Sequence, residues 1–312
     1  MIGAEACSRT HPGGTLAPRP GGVDLKSESK NGLPPPCKAF KLPPLVNTGG
    51  QGSSNWRRRW AASQLDAISA KEPIKMPVHH AVDAHVATIT LNDGENRFNP
   101  DFLNAFLGAL DTVERSTAAT TLVVTASHDK IFSNGIDLEW LVPLIQRNDI
   151  ARAKDFFYLL NRLFKRIVTY PLVTVAAISG HAFAGGAILC CAFDFRFMRS
   201  DRGFFCFPEV DLGIPFLPGM NALLKKALPM NVMEYLVYSG ARFTADQCLA
   251  HHIIRQACPM ETLMAEARAF AMAINKRRAV VAEMKKRLHA PIVHAIDVAD
   301  VPYIESGRFN IG

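Results

Sequence analysis

The chain has 312 residues, 48% hydrophobic and 20% charged, and 35 lysines and arginines against 28 acidic residues give it a net charge of +7. That length and apolar content suit one large domain, or one domain with an appendage. The basic excess is scattered, with Trp56-Arg57-Arg58-Arg59-Trp60 the one basic block interleaved with aromatics, so no nucleic-acid partner is expected and the charge suits a phosphate-bearing ligand. Seven cysteines without a C-x-x-C pair give no support to a zinc ribbon or redox dithiol; they read as buried thiols of a reducing compartment.

Residues 1–75 are rich in Pro, Gly, Ser and Lys, as in Pro34-Pro35-Pro36, and have almost no apolar periodicity. Such a segment cannot bury enough surface to offset its ordering entropy, so it reads as a disordered or non-native N-terminal extension. It has no continuous apolar core of a secretory signal. Trp56–Ser69 could form a short basic helix of presequence type, but Glu5, Asp24 and Glu28 argue against that role. The expected location is cytoplasmic, with an organellar matrix as the alternative if the extension is a transit peptide. Met76 stands where folded-looking sequence begins, so a start codon placed too early is a competing reading. A core over 76–228 and a helical C-terminal region over 229–312 are expected to follow.

Val86–Leu91 alternates as a strand, closed by the turn Asn92-Asp93-Gly94. Asn99-Pro100 starts a helix, with Phe102, Phe106, Leu110 and Val113 on one face. Thr121–Ala126 reads as a buried strand, and Phe132–Leu138 as a turn passing into a helix. Ala151–Thr169 is an amphipathic helix closed by Tyr170-Pro171, and Leu172–Ile178 is a second buried strand. Pro171–Phe193 has no Asp, Glu, Lys or Arg and is long enough to span a bilayer. Ser179-Gly180 and Gly185-Gly186 interrupt it, and its first part is β-branched, so strand, turn and buried helix is the better reading and no membrane span is expected. Helical segments follow near 219–228, 231–239, 244–251, 259–275 and 277–289. The class is α/β with a helical tail.

Gly180–Gly213 is the stretch richest in chemistry. A glycine-rich turn at Ala184-Gly185-Gly186 can present bare backbone N–H groups at a helix start. Glu209, between Pro208 and Val210 among apolar residues, is a candidate base with a raised pKa. Its bland alternative is a turn cap or an ion pair with Arg196, Arg199 or Arg202. Neither Gly135 nor Gly185 belongs to a phosphate loop, since no G-K-[ST] follows, and no G-x-S-x-G marks a serine hydrolase. His79-His80 and His251-His252 lack the spacing of metal ligands.

Four pieces, in order, carry a resemblance: Glu95–Pro100, Ile131–Leu138, Ile178–Gly186 and Phe207–Ile214. With them the chain from Val86 to about Pro218 resembles the enoyl-CoA hydratase/isomerase (crotonase) family. The resemblance implies a spiral of ββα turns followed by helices that pack against neighbouring subunits, as a homotrimer or hexamer. It implies an acyl-CoA thioester as ligand, with no cofactor beyond the coenzyme A of the substrate and no metal. The backbone N–H groups of Ile136 and Gly185 would hold the thioester oxygen, where a preorganised donor is worth about 3–4 kcal/mol. Asn134, Gly135, Asp137, Leu138, Gly186 and Ile188 would line the substrate site, and Lys130 would favour the coenzyme A phosphates.

The departures set the expected subtype. The two glutamates with which the family's hydratases handle water fall on Ile188 and Glu209 here, and an isoleucine cannot hold water. The two aspartates of the family's dienoyl-CoA isomerases fall on Ile188 and Leu217. A single glutamate with an apolar partner resembles Δ3,Δ2-enoyl-CoA isomerases, in which Glu209 would move a proton from C2 to C4 alone. Phe204, Phe205 and Phe207 are available to exclude water. The alternatives are another activity of the family, such as hydration, hydrolysis or decarboxylation with help from Asp211 or His181, and a non-catalytic acyl-CoA binder.

Overall fold

The computed structural model describes residues 77–309. The expected extension over 1–75, with its Trp56–Ser69 segment, lies outside them. The described chain opens with a hairpin of β1 (Val78–Asp83) and β2 (Val86–Leu91), paired antiparallel. It then repeats one unit of two strands and a helix. The first turn is β2, β3 (Arg97–Phe98) and α1 (Pro100–Ser116). The second is β4 (Thr121–Ala126), β5 (Ile131–Ser133) and β6 (Gly135–Ile136), followed by α2 (Leu138–Gln146) and α3 (Ile150–Val168). The third is β7 (Val173–Ile178), β8 (His181–Phe183) and α4 (Gly185–Ala192). The fourth is β9 (Phe195–Arg199), β10 (Phe205–Cys206) and a 3-10 turn at Pro208–Val210.

Helices α5 (Pro218–Ala227) and α6 (Met230–Ser239), strand β11 (Arg242–Phe243), helix α7 (Ala245–Ala250) and strand β12 (Gln256–Cys258) come next. The chain finishes with α8 (Met260–Ala273), α9 (Arg278–Leu288), α10 (Ala290–His294), a π-helical segment at Ala295–Ala299 and α11 (Val301–Glu305). The leading strands build one sheet in the order β1-β2-β4-β7-β9-β12, and the trailing ones build β11-β10-β8-β5 and the pair β3-β6. This is the α/β spiral of ββα turns expected from the sequence. Strand β1, not expected within the core that starts at residue 76, is an edge strand whose VHHAVD residues are mostly exposed, as suits an edge that must not recruit another chain.

The central strands are parallel and buried on both faces, which is why TLVVTA and VTVAAI read as unbroken apolar runs. Leu122 and Val124 face the large core under α1 and α3, whereas Val123 faces a second cluster with Leu263, Ala267 and Ala271 of α8. Helix α1 starts where Asn99 accepts a hydrogen bond from the Phe102 N–H at 3.0 Å, a cap worth about 1 kcal/mol. The apolar run Pro171–Phe193 is divided among β7, β8 and α4, and no helix among the described residues is long and apolar enough to cross a membrane.

All eight residues of α4 are buried and none is charged. Its C-terminal carbonyls are met by one buried and one half-buried cation. Arg196 donates to the Cys190 and Phe193 carbonyls at 3.3 and 3.0 Å, and Lys226 Nζ to those of Cys191 and Phe193 at 3.3 and 2.6 Å. Burial pulls the Lys226 ammonium down to about 8. Beside them Asp194 accepts from Lys285 Nζ at 2.6 Å and from the Thr174 N–H at 2.7 Å. Cys190, Cys191 and Cys206 are buried free thiols, as expected.

Candidate active site

Helix α4 and the 3-10 turn meet at a cavity of about 290 Å3 whose walls come from every turn of the spiral but the first. Ile136, Leu138 and Leu141 form one side, Phe183, Ala184, Gly185 and Ile188 another, and Leu217 and Met220 a third. Glu209 is the one carboxylate among the lining residues, and its side chain is held by the 3-10 turn that Pro208 starts. The turn is closed by the Leu212 and Ile214 N–H groups, which donate to the Glu209 backbone carbonyl at 3.2 and 3.0 Å.

Glu209 is 7% exposed, and its Oε2 is buried with no hydrogen-bond partner. Burial pushes its pKa up to about 7, offset in part by a hydrogen bond from its own backbone. The three arginines that the sequence offered as its partners are occupied elsewhere. Arg196 serves carbonyls, Arg199 pairs with Asp201 at 2.5 Å, and Arg202 lies 3.5 Å from Asp129. A buried carboxyl of this kind is poised to trade a proton near neutral pH.

Two turns press together beside it. Gly135 has φ +73, and a Cβ on it would overlap the backbone of Gly185. A Cβ on Gly186 would in turn overlap the Ser133 carbonyl. Glycine is demanded here by contact as well as by conformation. Ala184 caps α4 with φ 50 and ψ −126, a strained setting for a residue with a side chain, costing about 1–3 kcal/mol. That peptide orientation presents the Gly185 N–H, the first of α4, which has no intrahelical acceptor. Just past β6 the Asp137 N–H donates to the Phe98 carbonyl at 3.0 Å, so the Ile136 N–H one residue earlier faces the opposite side of the strand. The two N–H groups belong to residues that line the same cavity as Glu209.

A polar scaffold behind the turns holds them. Asn96, fully buried at φ 50, donates to the Phe132 carbonyl at 2.9 Å, and Ser133 Oγ donates to the Asn96 carbonyl at 2.8 Å. Ser133 Oγ also accepts from the Gly135 N–H at 3.1 Å. Asn134 Nδ2 donates to Glu95, which is held below its ordinary pKa mainly by the Arg97 hydrogen bond. The supporting roles of Asn96 and Ser133 were not expected from the sequence, although a non-glycine residue beside the Gly94 turn was the available signal.

Asn134, Ile136, Leu138, Gly185, Ile188 and Glu209 line one cavity, with Gly135 and Gly186 packed behind it. Two expected residues stand apart. Asp137 caps α2, accepting from the Trp140 N–H at 3.2 Å, and is absent from the cavity wall. Lys130 is exposed and outside the wall, because its segment is turned to the Gly180–His181 backbone, where its carbonyl accepts from the His181 N–H at 2.8 Å. The aromatic lining also differs from expectation. It is Phe157, Phe183, Phe216, Tyr303 and Phe309; Phe205 and Phe207 are buried behind it, and Phe204 stacks on His181.

Comparison with known proteins gives a consistent picture. The family description enoyl-CoA hydratase/isomerase matches residues 81–300. The chain is 29% identical over 177 residues to the peroxisomal enoyl-CoA delta isomerase 2 of Arabidopsis thaliana, covering 56% of this chain and 73% of the relative. It is 25% identical over 207 residues to the short-chain-enoyl-CoA hydratase of Clostridium acetobutylicum, covering 66% and 77%. Among solved structures, the apo enoyl-CoA isomerase of Mycobacterium tuberculosis superposes with a TM-score of 0.67 at 25% identity, covering 74% of this chain and 98% of that one.

Proposed function

This chain belongs to the enoyl-CoA hydratase/isomerase family, and we propose that within it the chain moves the double bond of a 3-enoyl-CoA to give the trans-2-enoyl-CoA. Hydratase/isomerase-type chemistry on an enoyl-CoA comes with the family. The narrower reading is carried by one observation: Glu209 is the single carboxylate among the cavity-lining residues, with Ile188 and Leu217 apolar in the same lining.

In the proposed reaction the Glu209 carboxylate takes a proton from C2 of the substrate. The electron pair delocalises into the thioester, and the developing oxyanion accepts hydrogen bonds from the Ile136 and Gly185 N–H groups. Protonated Glu209 then gives its proton to C4, and the electrons return to form the C2–C3 double bond. One carboxyl serves both steps when C2 and C4 of the planar dienolate present one face to it. A pKa near 7 suits a group that must both accept and donate. The apolar lining excludes the water that would protonate the intermediate elsewhere. Asp211 and His181, the helpers of the alternative chemistries, do not line the cavity. Assembly as a homotrimer or hexamer is part of the same proposal.

The test is an assay of the purified chain with 3-hexenoyl-CoA and 2-hexenoyl-CoA in parallel. The proposal expects 2-hexenoyl-CoA from the first, no hydration of the second, and loss of conversion in Glu209→Gln. Full activity in that variant, or release of free coenzyme A, would overturn it.

A further inference from the structure

We propose, building on the reading of this cavity as an acyl-CoA site, that Val301–Phe309 forms a fixed wall that restricts the acyl group to short and medium chains, with Asp300 positioning that wall. Tyr303, Ser306 and Phe309 all line the cavity. Phe309 stacks on Phe157 of α3, with ring centroids 4.7 Å apart and planes 19° from parallel. The cavity so bounded, about 290 Å3, is at the bottom of the range of ligand pockets, roughly 300–1,000 Å3.

The wall is strapped to its neighbours. Glu305 accepts from Lys154 Nζ at 2.9 Å and from the Tyr158 hydroxyl at 2.6 Å, both on α3. Asp300, fully buried, accepts from Asn161 Nδ2 of α3 at 2.8 Å and from the Gly219 N–H of α5 at 2.7 Å. Those helices contribute Phe157 and Met220 to the lining, and Leu217 caps the second of them. One carboxylate therefore fixes three sides of the cavity relative to each other. Asn161 Oδ1 has no partner of its own.

The experiment measures binding of saturated hexanoyl-, decanoyl- and hexadecanoyl-CoA to the full chain by calorimetry. Binding is read without turnover, so failure of the isomerase assignment and failure of the wall are separate results. Affinity is expected to rise about fourfold per methylene while the chain fits and then to stop rising before hexadecanoyl-CoA. In the Phe157→Ala/Phe309→Ala double variant the rise continues, and hexadecanoyl-CoA binds about tenfold or more tighter than to the wild type. Tightest binding of hexadecanoyl-CoA by the wild type, or the same chain-length profile in the double variant, overturns the wall.

Asp300→Ala is expected to relax the length limit. Asp300→Asn is expected to keep it, because a flipped Asn161 amide can offer its unpartnered Oδ1 to the new amide. Asn161→Ala, which removes one of the two bonds to Asp300, stands in if Asp300→Ala does not fold. An unchanged profile in the alanine variant overturns the positioning role of Asp300.

Discussion

Gly135 has no room for a side chain because the amide nitrogen of Gly185 lies where its Cβ would reach. The two turns are thus in backbone contact, and their separation is set by the absence of one carbon. Gly135→Ala must push them apart and also carry φ +73, so it is expected to lower kcat about a hundredfold or more, as loss of an oxyanion donor does. Steady-state kinetics beside a circular-dichroism melt separates this loss from unfolding.

Glu209 must be ionised to start the proposed reaction. With its pKa near 7, kcat/KM is expected to rise with pH through an acid limb centred there and then level off. A pH–rate profile with the limb near an ordinary glutamate value would overturn the raised pKa of the proposed base.

The same shift makes a statement about stability. A carboxyl raised from 4.5 to about 7 in the folded state favours folding most below 4.5, and that contribution is lost as pH rises from 4.5 through 7. Relative to the wild type, Glu209→Gln is therefore expected to gain stability by as much as about 3 kcal/mol between pH 4.5 and pH 8. Urea titrations of both proteins at the two pH values give this difference, and any constant cost of the buried amide cancels from it.

Ala184 holds a backbone conformation that glycine adopts without strain. Ala184→Gly is expected to stabilise the fold by about 1 kcal/mol, the relief of strain exceeding the entropy that glycine gains when unfolded. A higher thermal midpoint with activity retained is the outcome to look for, and a lower one would show the strain is absent.

Asp194 is the carboxylate that Lys285 faces at 2.6 Å, in surroundings that also hold Lys226 and Arg196. Asp194→Ala strands a buried ammonium and is expected to cost about 3–5 kcal/mol, whereas the double change with Lys285→Met should cost much less. Denaturant midpoints of the two variants, at equal m-values, decide it.

The strands and helices with strong periodicity were legible in the residues, since Thr121–Ala126 and Phe102-Phe106-Leu110-Val113 carry their burial pattern openly. Strand β1 was not, because an exposed edge has no apolar alternation to read. Strand β9 was masked by Arg196 and Arg199, whose charges are absorbed by the Ile253 and Asp129 carbonyls that only the tertiary fold supplies and by the neighbouring Asp201. Pro291 and Pro302 broke the helical pattern of the C-terminal region, yet each occupies the first turn of its own short helix. At the candidate site, Glu209 and the two glycine turns were legible because they are local. The lining by Phe157, Phe216 and Phe309 joins three distant parts of the chain, and no spacing announces it.

Helix α4 has no solvated side: Ala187, Leu189, Cys190 and Cys191 each meet the packed interior, and cations hold its far end. A close-packed interior passes displacement along instead of absorbing it. An added methyl group at Cys190 or Cys191 would therefore be felt at Gly185 as a change of aim, so the proposed oxyanion geometry can be retuned from positions outside the cavity wall.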